Sequence, residues 1–201
     1  MKSGRTGTFG REGFLFLFCA MLLSGGAEAH IFGTQGAGLA EGAMHPFAGL
    51  DHLLAMIAVG VWAVQQGGRA LWAVPLAFIA MMAVGGAFGL MGGAVPAVET
   101  GIAGSLVVLG LLIGLAVRPS PWVAAALVGF FALFHGHAHG SELPEAAQPI
   151  LYALGFITAT AVLHGVGMLA GVAIGAQPWR AALRWAGAGV TAAGLMLILG
   201  M

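Results

Sequence analysis

The chain has 201 residues, of which 60% are hydrophobic and only 7% are charged, and seven Lys and Arg balance seven Asp and Glu. A soluble domain carries about 25% charged residues, so this composition excludes a soluble globular enzyme. It also excludes an intrinsically disordered chain, which is poor in apolar residues, and a collagen, because the 35 glycines show no three-residue period. The sequence therefore predicts an integral membrane protein.

Residues 1–29 have the pattern of a secretory signal peptide. Three basic residues precede a ten-residue apolar run over 14–23, which is too short to cross a bilayer that needs about 20 residues. The tripeptide at 27–29 is a small-residue cleavage site, so the mature chain is predicted to begin at His30. An uncleaved membrane anchor is the alternative. Cleavage would remove Cys19, the only cysteine of the chain.

Six apolar segments follow a glycine-rich stretch over 33–43, which is expected to be an exposed leader. Each segment has about 20 residues or more, enough to cross about 30 Å of hydrocarbon. The sequence therefore predicts an all-α fold, a polytopic bundle of six transmembrane helices over residues 30–201. The loops contain no G-x-x-x-x-G-K-[ST] phosphate loop, which excludes an ATP-driven pump built from this chain alone. The segments lie near 46–66, 70–91, 97–117, 121–139, 147–174 and 181–200.

The charges between the segments indicate the orientation in the membrane. All basic residues after the signal peptide fall in the connections of one side, and the connections of the other side hold acidic residues. The positive-inside rule therefore predicts that the mature N-terminus lies on the outer side of the cell membrane. The basic residues are Arg69, Arg118, Arg180 and Arg184, and the acidic residues are Glu41, Glu99, Glu142 and Glu145.

The first segment begins with His-Pro-Phe-Ala-Gly-Leu-Asp-His, and ionisable residues inside a membrane are functional by default. Pro46 suits the first helical position, which would leave His45 at the cap. Seven residues turn a helix by about 700°, so His45 and His52 are predicted to share one stripe, about 10 Å apart in depth. Asp51 is turned about 120° away and could contact a neighbouring helix or orient an imidazole. A helix cap with a buried structural Asp–His pair is the alternative.

A second group, Phe-His-Gly-His-Ala-His-Gly-Ser-Glu, lies at the outer end of the fourth segment. His135 and His139 are four residues apart, on one helix face, a common spacing for two ligands of one metal. His137 is expected to point elsewhere. Gly140 is predicted to end the helix in a left-handed conformation, which would let Glu142 fold back over the site. An exposed His-rich turn without a tight site is the alternative.

Three further residues are weaker metal-site candidates. His164, about fifteen residues into the fifth segment, could bind metal or make an interhelical hydrogen bond. Glu99 could be an outer ligand, but we favour a role at a helix N-terminus. His30 would offer an amine and an imidazole as a free N-terminus. The methionines inside the segments, which include Met56, are expected to fill the core, and the glycines to let helices pack closely.

The candidate ligands select a class of metal ion. Without a cysteine, a mature chain must use imidazole, carboxylate, thioether or backbone oxygen. Imidazole and carboxylate suit Ni²⁺, Co²⁺ and Zn²⁺, whereas Mg²⁺ and Ca²⁺ prefer all-oxygen sites. An ion that crosses hydrocarbon needs ligands that replace its water and still release it. Two charges crossing about 100 mV gain about 4.6 kcal/mol, or about three decades of concentration, so the membrane potential would suffice as the energy source.

Both histidine motifs resemble those of the HupE/UreJ proteins, a bacterial membrane family associated with nickel and cobalt uptake. The resemblance begins at His45 and continues beyond Met56 to Ala63, and it includes the run from Phe134 to Glu142. Many relatives also have a His-rich stretch after the signal peptide, which is missing here. The resemblance implies that metal transport needs His45, Asp51, His52, His135, His139 and Glu142, and it carries His137 over only weakly.

The sequence therefore predicts a secondary permease or facilitator, not an enzyme, that passes Ni²⁺ or Co²⁺ from a periplasmic His/Asp/Glu site to the cytoplasm. The ion is the substrate, and no prosthetic group is expected. The expected partners are the divalent ion and the lipid bilayer, not nucleic acid, and a homo-oligomer is left open. An intramembrane zinc-dependent hydrolase is the main alternative, because such ligands also fit a water-activating zinc. A haem-binding electron-transfer protein, built on paired histidines, ranks lower.

Overall fold

The fold is all-α, as predicted. A computed structural model describes residues 38–143, 148–175 and 180–201, so the predicted signal peptide and His30 lie outside the described residues. The described ranges contain seven α-helices and a short 3-10 helix, His45–Phe47. The α-helices are α1 (Leu39–Met44), α2 (Leu50–Gln66), α3 (Ala70–Leu90), α4 (Val98–Gly114), α5 (Pro121–Ser141), α6 (Pro149–Gly175) and α7 (Arg180–Leu199).

The helices have the length and apolar character of membrane spans. By length and composition, α3, α5, α6 and α7 could each cross a membrane, and Leu39–Phe47 together with α2 forms a bent pair that would make a fifth span. Helix α4 is apolar but has only 17 residues. The chain is therefore a multi-pass helical membrane protein, and the number of six spans stays a prediction.

Exposed tryptophans mark one end of this bundle. Trp72 and Trp122 lie in the first turns of α3 and α5, Trp185 lies in the second turn of α7, and they are 66%, 69% and 77% exposed. Tryptophan is enriched at membrane–water interfaces, where an apolar ring with a polar N–H suits the headgroup level. The N-termini of these three helices therefore have the character of an interface.

The first predicted span is not one straight helix. Its two parts meet at an angle of 85°, and Gly49 between them has an extended backbone, with φ −109° and ψ 122°. The single stripe predicted for His45 and His52 is therefore wrong, because a helical register does not continue through an extended residue. The prediction that the first helix begins at Pro46 with His45 as its cap is also wrong, because the 3-10 helix that contains Pro46 already begins at His45.

The part of the predicted leader that is described is helical and packs one side against the bundle, whereas Leu39 and Ala40 are exposed as predicted. It forms α1, whose Gly42 is buried and lies so close to α6 that a Cβ would collide with the backbone of Tyr152. Reciprocally, a Cβ at Gly155 would collide with the carbonyl of Leu39. Helix α1 is thus held against α6 by glycines on both sides, a contact that local apolar periodicity does not reveal.

Helices α3 and α5 are also packed through glycines. A Cβ at Gly136 would collide with the carbonyl of Met82, and one at Gly140 with the carbonyl of Gly86. The prediction that Gly140 ends α5 in a left-handed conformation is wrong, because the helix continues to Ser141. Gly140 is instead a contact residue, and small residues of this kind let helix backbones approach closely in a membrane.

Helix α2 lies between α6, α4 and α3, and its second half is tied to α4. The Trp62 Nε1–H and the Gln66 side chain both donate to the carbonyl of Val117, at 3.2 and 3.1 Å. The Gln65 side chain donates to the carbonyl of Ile113 at 3.0 Å. These bonds join the last turn of α2 to the last turn of α4 and to the loop that follows it, and they fix the end of α2 that is distant from His52.

Two glycines of α6 provide a matched pair of variants that test its contact with α2. A Cβ at Gly167 would collide with the carbonyl of Ile57, whereas a Cβ at Gly165 would meet no atom within 4 Å. We expect Gly167→Ala to destabilise the protein by about 1–3 kcal/mol through overpacking, and Gly165→Ala to be neutral or slightly stabilising because alanine favours helix. Thermal unfolding in detergent measures both. Equal melting temperatures would contradict this contact.

Candidate metal centre

Four histidine rings from three chain segments meet at one end of the bundle. His45 comes from the 3-10 helix, His52 from α2, and His135 and His139 from α5. The ring centroid of His139 lies 4.6 Å from that of His45 and 4.3 Å from that of His52. The centroids of His52 and His135 are 5.0 Å apart. The structure thus brings the histidines of both sequence motifs into one group, which we call the outer cluster.

The outer cluster extends from a partly accessible side to a closed one. His45 is half-buried, His139 is 7% exposed, and His135 is fully buried. Helix α6 covers the group with aromatic rings, since the Phe156 ring lies 4.1 Å from that of His139 and the Tyr152 ring lies 5.7 Å from that of His45. The outer cluster is therefore most accessible at His45 and closed at His135.

Asp51 orients the imidazole of His52. Its Oδ1 atom lies 2.8 Å from His52 Nδ1 and also accepts the backbone N–H of His52 at 2.8 Å. Because a carboxylate only accepts, the proton lies on Nδ1 and the lone pair on Nε2. Within the described ranges, buried Nε2 has no hydrogen-bond partner. A carboxylate behind a histidine is the usual second-layer arrangement of a metal ligand, so the orienting role that the sequence suggests for Asp51 has a structural basis.

The break before α2 makes room for this pair. A Cβ at Gly49 would lie 2.6 Å from Asp51 Oδ1 and 3.0 Å from His52 Nδ1. A side chain at this position would therefore displace the carboxylate from the imidazole. Gly49 also accepts the backbone N–H of Leu53 at 3.0 Å and so begins the helix.

Ser105 orients the imidazole of His135, as Asp51 orients that of His52. The Ser105 hydroxyl donates to the carbonyl of Ile102 at 2.6 Å, and its oxygen lies 3.0 Å from His135 Nε2. With its only proton used, Ser105 accepts the Nε2 proton, which leaves the lone pair of His135 on Nδ1. Sequence reasoning missed Ser105, although an isolated hydroxyl within the apolar run of α4 was the available signal.

Several ring nitrogens of the outer cluster lack hydrogen-bond partners in the described part of the chain. Over the described residues, His52 Nε2, His135 Nδ1 and both ring nitrogens of His139 are buried without a hydrogen bond. Each such atom costs about 1–3 kcal/mol unless something binds it. No group of three or more His, Cys, Asp or Glu in this part of the chain is arranged to hold a metal ion. The donors are therefore gathered but do not converge on one point.

Of the other sequence candidates, His137 and Glu99 lie outside the outer cluster and Glu142 lies at its edge. The His137 Nε2–H donates to the carbonyl of Gly93 at 2.8 Å, so His137 holds the loop after α3 and points elsewhere, as expected. Glu142 is the exposed residue that follows α5, and it lies close enough to His45 and Tyr152 for its charge to act on both. Glu99 is exposed in the first turn of α4, where the helix dipole favours a carboxylate.

Comparison with known proteins identifies relatives over most of the chain. The family model described as HupE / UreJ protein matches residues 18–197. Over 183 residues the chain is 47% identical to Protein HupE of Rhizobium leguminosarum bv. viciae, and the alignment covers 90% of this chain and 94% of that protein. No solved structure matches the chain. The resemblance carried by the two histidine motifs is thereby confirmed.

Asp51→Asn should weaken the binding of Co²⁺ to the purified protein, because an amide lacks the charge that orients His52 and increases its basicity. Loss of such a partner lowers metal affinity about 10- to 100-fold. A titration followed by the visible absorption of bound Co²⁺ measures the change. His137→Gln is the matched control, because it keeps a donor for Gly93 and lies outside the outer cluster. Equal affinities of Asp51→Asn and the unmodified protein would contradict the orienting role.

Proposed function

The chain belongs to the HupE/UreJ family, a transporter-type membrane family related to nickel and cobalt, and we propose that it admits Ni²⁺ or Co²⁺ into the bacterial cytoplasm. In this proposal the ion passes from the periplasm to the outer cluster and then through the inner membrane. The chain acts as a facilitator, and the ion is its substrate.

The partnerless nitrogens of the outer cluster carry this proposal. A divalent ion that leaves water needs replacement ligands, and His52 Nε2 and His135 Nδ1 each present a lone pair whose position is set by a hydrogen bond on the other ring nitrogen. Neutral imidazole is a good ligand for Ni²⁺ and Co²⁺ and a poor one for Mg²⁺ and Ca²⁺. The donor set therefore favours a transition-metal substrate.

The loose arrangement of these donors suits transport better than storage. Conduction requires binding that is favourable enough for entry and weak enough for release. Since the described donors form no ready-made metal site, the rings must rotate to hold an ion, and that rearrangement lowers the affinity. His139, which contacts both His45 and His52, is placed to transfer the ion from the entrance to the deeper ligands.

The opposite end of the bundle supports the direction of transport. Arg118 and Arg184 line a cavity of about 540 Å³ together with Gln65, at the end of α2 that is distant from His52. Arginines at one end of a helical membrane protein mark the cytoplasmic side. We therefore assign the outer cluster to the periplasmic side and this cavity to the cytoplasmic side, with the mature N-terminus in the periplasm.

The membrane potential supplies the driving force in this scheme. A divalent cation that moves inward across about 100 mV gains about 4.6 kcal/mol, which corresponds to about three decades of concentration. A facilitator therefore needs no nucleotide, in agreement with the absence of a phosphate-binding loop from the sequence.

The alternative of an intramembrane zinc hydrolase has no support. Family membership indicates a transporter rather than an enzyme. A catalytic zinc also needs three converging protein ligands and an open position, and the part of the chain that the structure describes holds no such converged group.

Cells without other nickel uptake systems should accumulate radioactive nickel when they produce this chain, and His52→Ala should abolish the gain. His52 contacts both His135 and His139, so its loss interrupts the series of donors. Uptake per unit of membrane-inserted protein is the measurement, and His137→Gln is the control that should transport normally. A protonophore that collapses the membrane potential should lower the final accumulation.

Unchanged uptake by His52→Ala, at equal protein abundance, would exclude an ion path through the outer cluster. Absence of uptake by the unmodified protein for both nickel and cobalt would overturn the proposed function itself.

A further inference from the structure

A second group of polar and sulfur-containing side chains lies deeper in the bundle, beyond the outer cluster. Its members come from α2, α3 and α6, and each is at most 2% exposed. The sequence alone favours core filling for the methionines and leaves the histidine undecided. The group consists of Met56, Met82, Thr160 and His164.

His164 has one nitrogen committed and one free. The His164 Nδ1–H donates to the carbonyl of Met56 at 2.8 Å, and because a carbonyl only accepts, the lone pair lies on Nε2. In the described ranges Nε2 is buried and has no hydrogen-bond partner. The arrangement repeats that of His52 and His135, in which one ring nitrogen is held so that the other remains a ligand.

Thr160 contacts both methionines one helix turn away from His164. Its hydroxyl lies 3.5 Å from Met56 Sδ and 3.8 Å from Met82 Sδ. Thr160 precedes His164 by four residues in α6, so the two side chains share one face of that helix, one turn apart. An imidazole nitrogen, a hydroxyl oxygen and two thioether sulfurs are therefore assembled by three helices.

Phe78 separates this group from the outer cluster. Its ring centroid lies 5.6 Å from that of His135 and 5.1 Å from that of His164, with the His164 ring nearly perpendicular at 89°. Met56 follows His52 by four residues, so the deeper group lies about 6 Å further along α2. One apolar ring thus stands between the innermost ligand of the outer cluster and His164.

We infer that Met56, Met82, Thr160 and His164 form an inner relay site for the transported ion, and that Phe78 is the gate between this site and the outer cluster. The inference rests on the proposed function. One imidazole with thioethers and a hydroxyl can bind a borderline metal ion and still bind it weakly enough for release. The same set binds Mg²⁺ or Ca²⁺ poorly, because these ions require several oxygen ligands.

A purely structural role for His164 is separable from a ligand role. The amide of an asparagine at this position reaches about as far as Nδ1, so His164→Asn keeps a donor for the carbonyl of Met56 and removes only the free nitrogen. If His164 merely joins α6 to α2, His164→Asn retains transport. If Nε2 binds the ion, His164→Asn loses transport although the helices remain joined.

The decisive experiment compares nickel uptake and Co²⁺ binding in three variants. We expect His164→Asn and Thr160→Val to lower the initial rate of radioactive nickel uptake at least about tenfold, the effect expected when a metal site loses a donor. Thr158→Val should transport normally, because Thr158 lies on the exposed side of α6 and its hydroxyl donates to the carbonyl of Leu154 in its own helix. In the purified protein, His164→Asn should abolish a second, weaker class of Co²⁺ sites and leave the tighter class intact.

The outcomes separate this inference from the proposed function. Normal uptake by His164→Asn, or a single class of Co²⁺ sites in the unmodified protein, would overturn the relay. Loss of both classes of sites in His164→Asn would also overturn it, since that result indicates structural damage. Absence of uptake by the unmodified protein would overturn the proposed function, while the Co²⁺ titration would still decide whether the inner site binds metal.

Discussion

A nitrogen lone pair buried in a membrane protein must have a partner or cost free energy, and this constraint organises the molecule. Asp51, Ser105 and the carbonyl of Met56 each hold one nitrogen of a buried imidazole. Within the described residues the other nitrogen of each imidazole stays free. Unpartnered imidazole nitrogens therefore remain in the outer cluster and at His164, and such nitrogens are ligands that a passing cation can use.

The close contacts between helices maintain these positions. Helices α3 and α5 meet at Gly136 and Gly140, and α2 and α6 meet at Gly60 and Gly167. Because the backbones touch, the side chains next to these glycines cannot slide past one another without steric collision. The glycines that flank His139 and follow His164 in sequence therefore hold these two histidines in position.

Much of the candidate site could be predicted from the sequence, because ionisable residues in apolar segments are costly and rarely accidental. This reasoning finds His52, His135 and His139. It does not find Ser105, whose importance comes from a hydrogen bond across 30 residues of chain. It also gives a wrong geometry for His45, since it assumes an uninterrupted helix where Gly49 is extended.

The class of the protein, the approximate positions of its helices and the chemical type of its ligands can be predicted from the sequence, because composition, apolar length and residue identity are local properties. The packing of the helices was needed to establish that His45 reaches His139 from a separate helical segment, that α1 packs against α6, and that Phe78 stands between His135 and His164. These relations depend on which helix backbones approach each other, and a contact between distant parts of the chain leaves no periodic signal in either part.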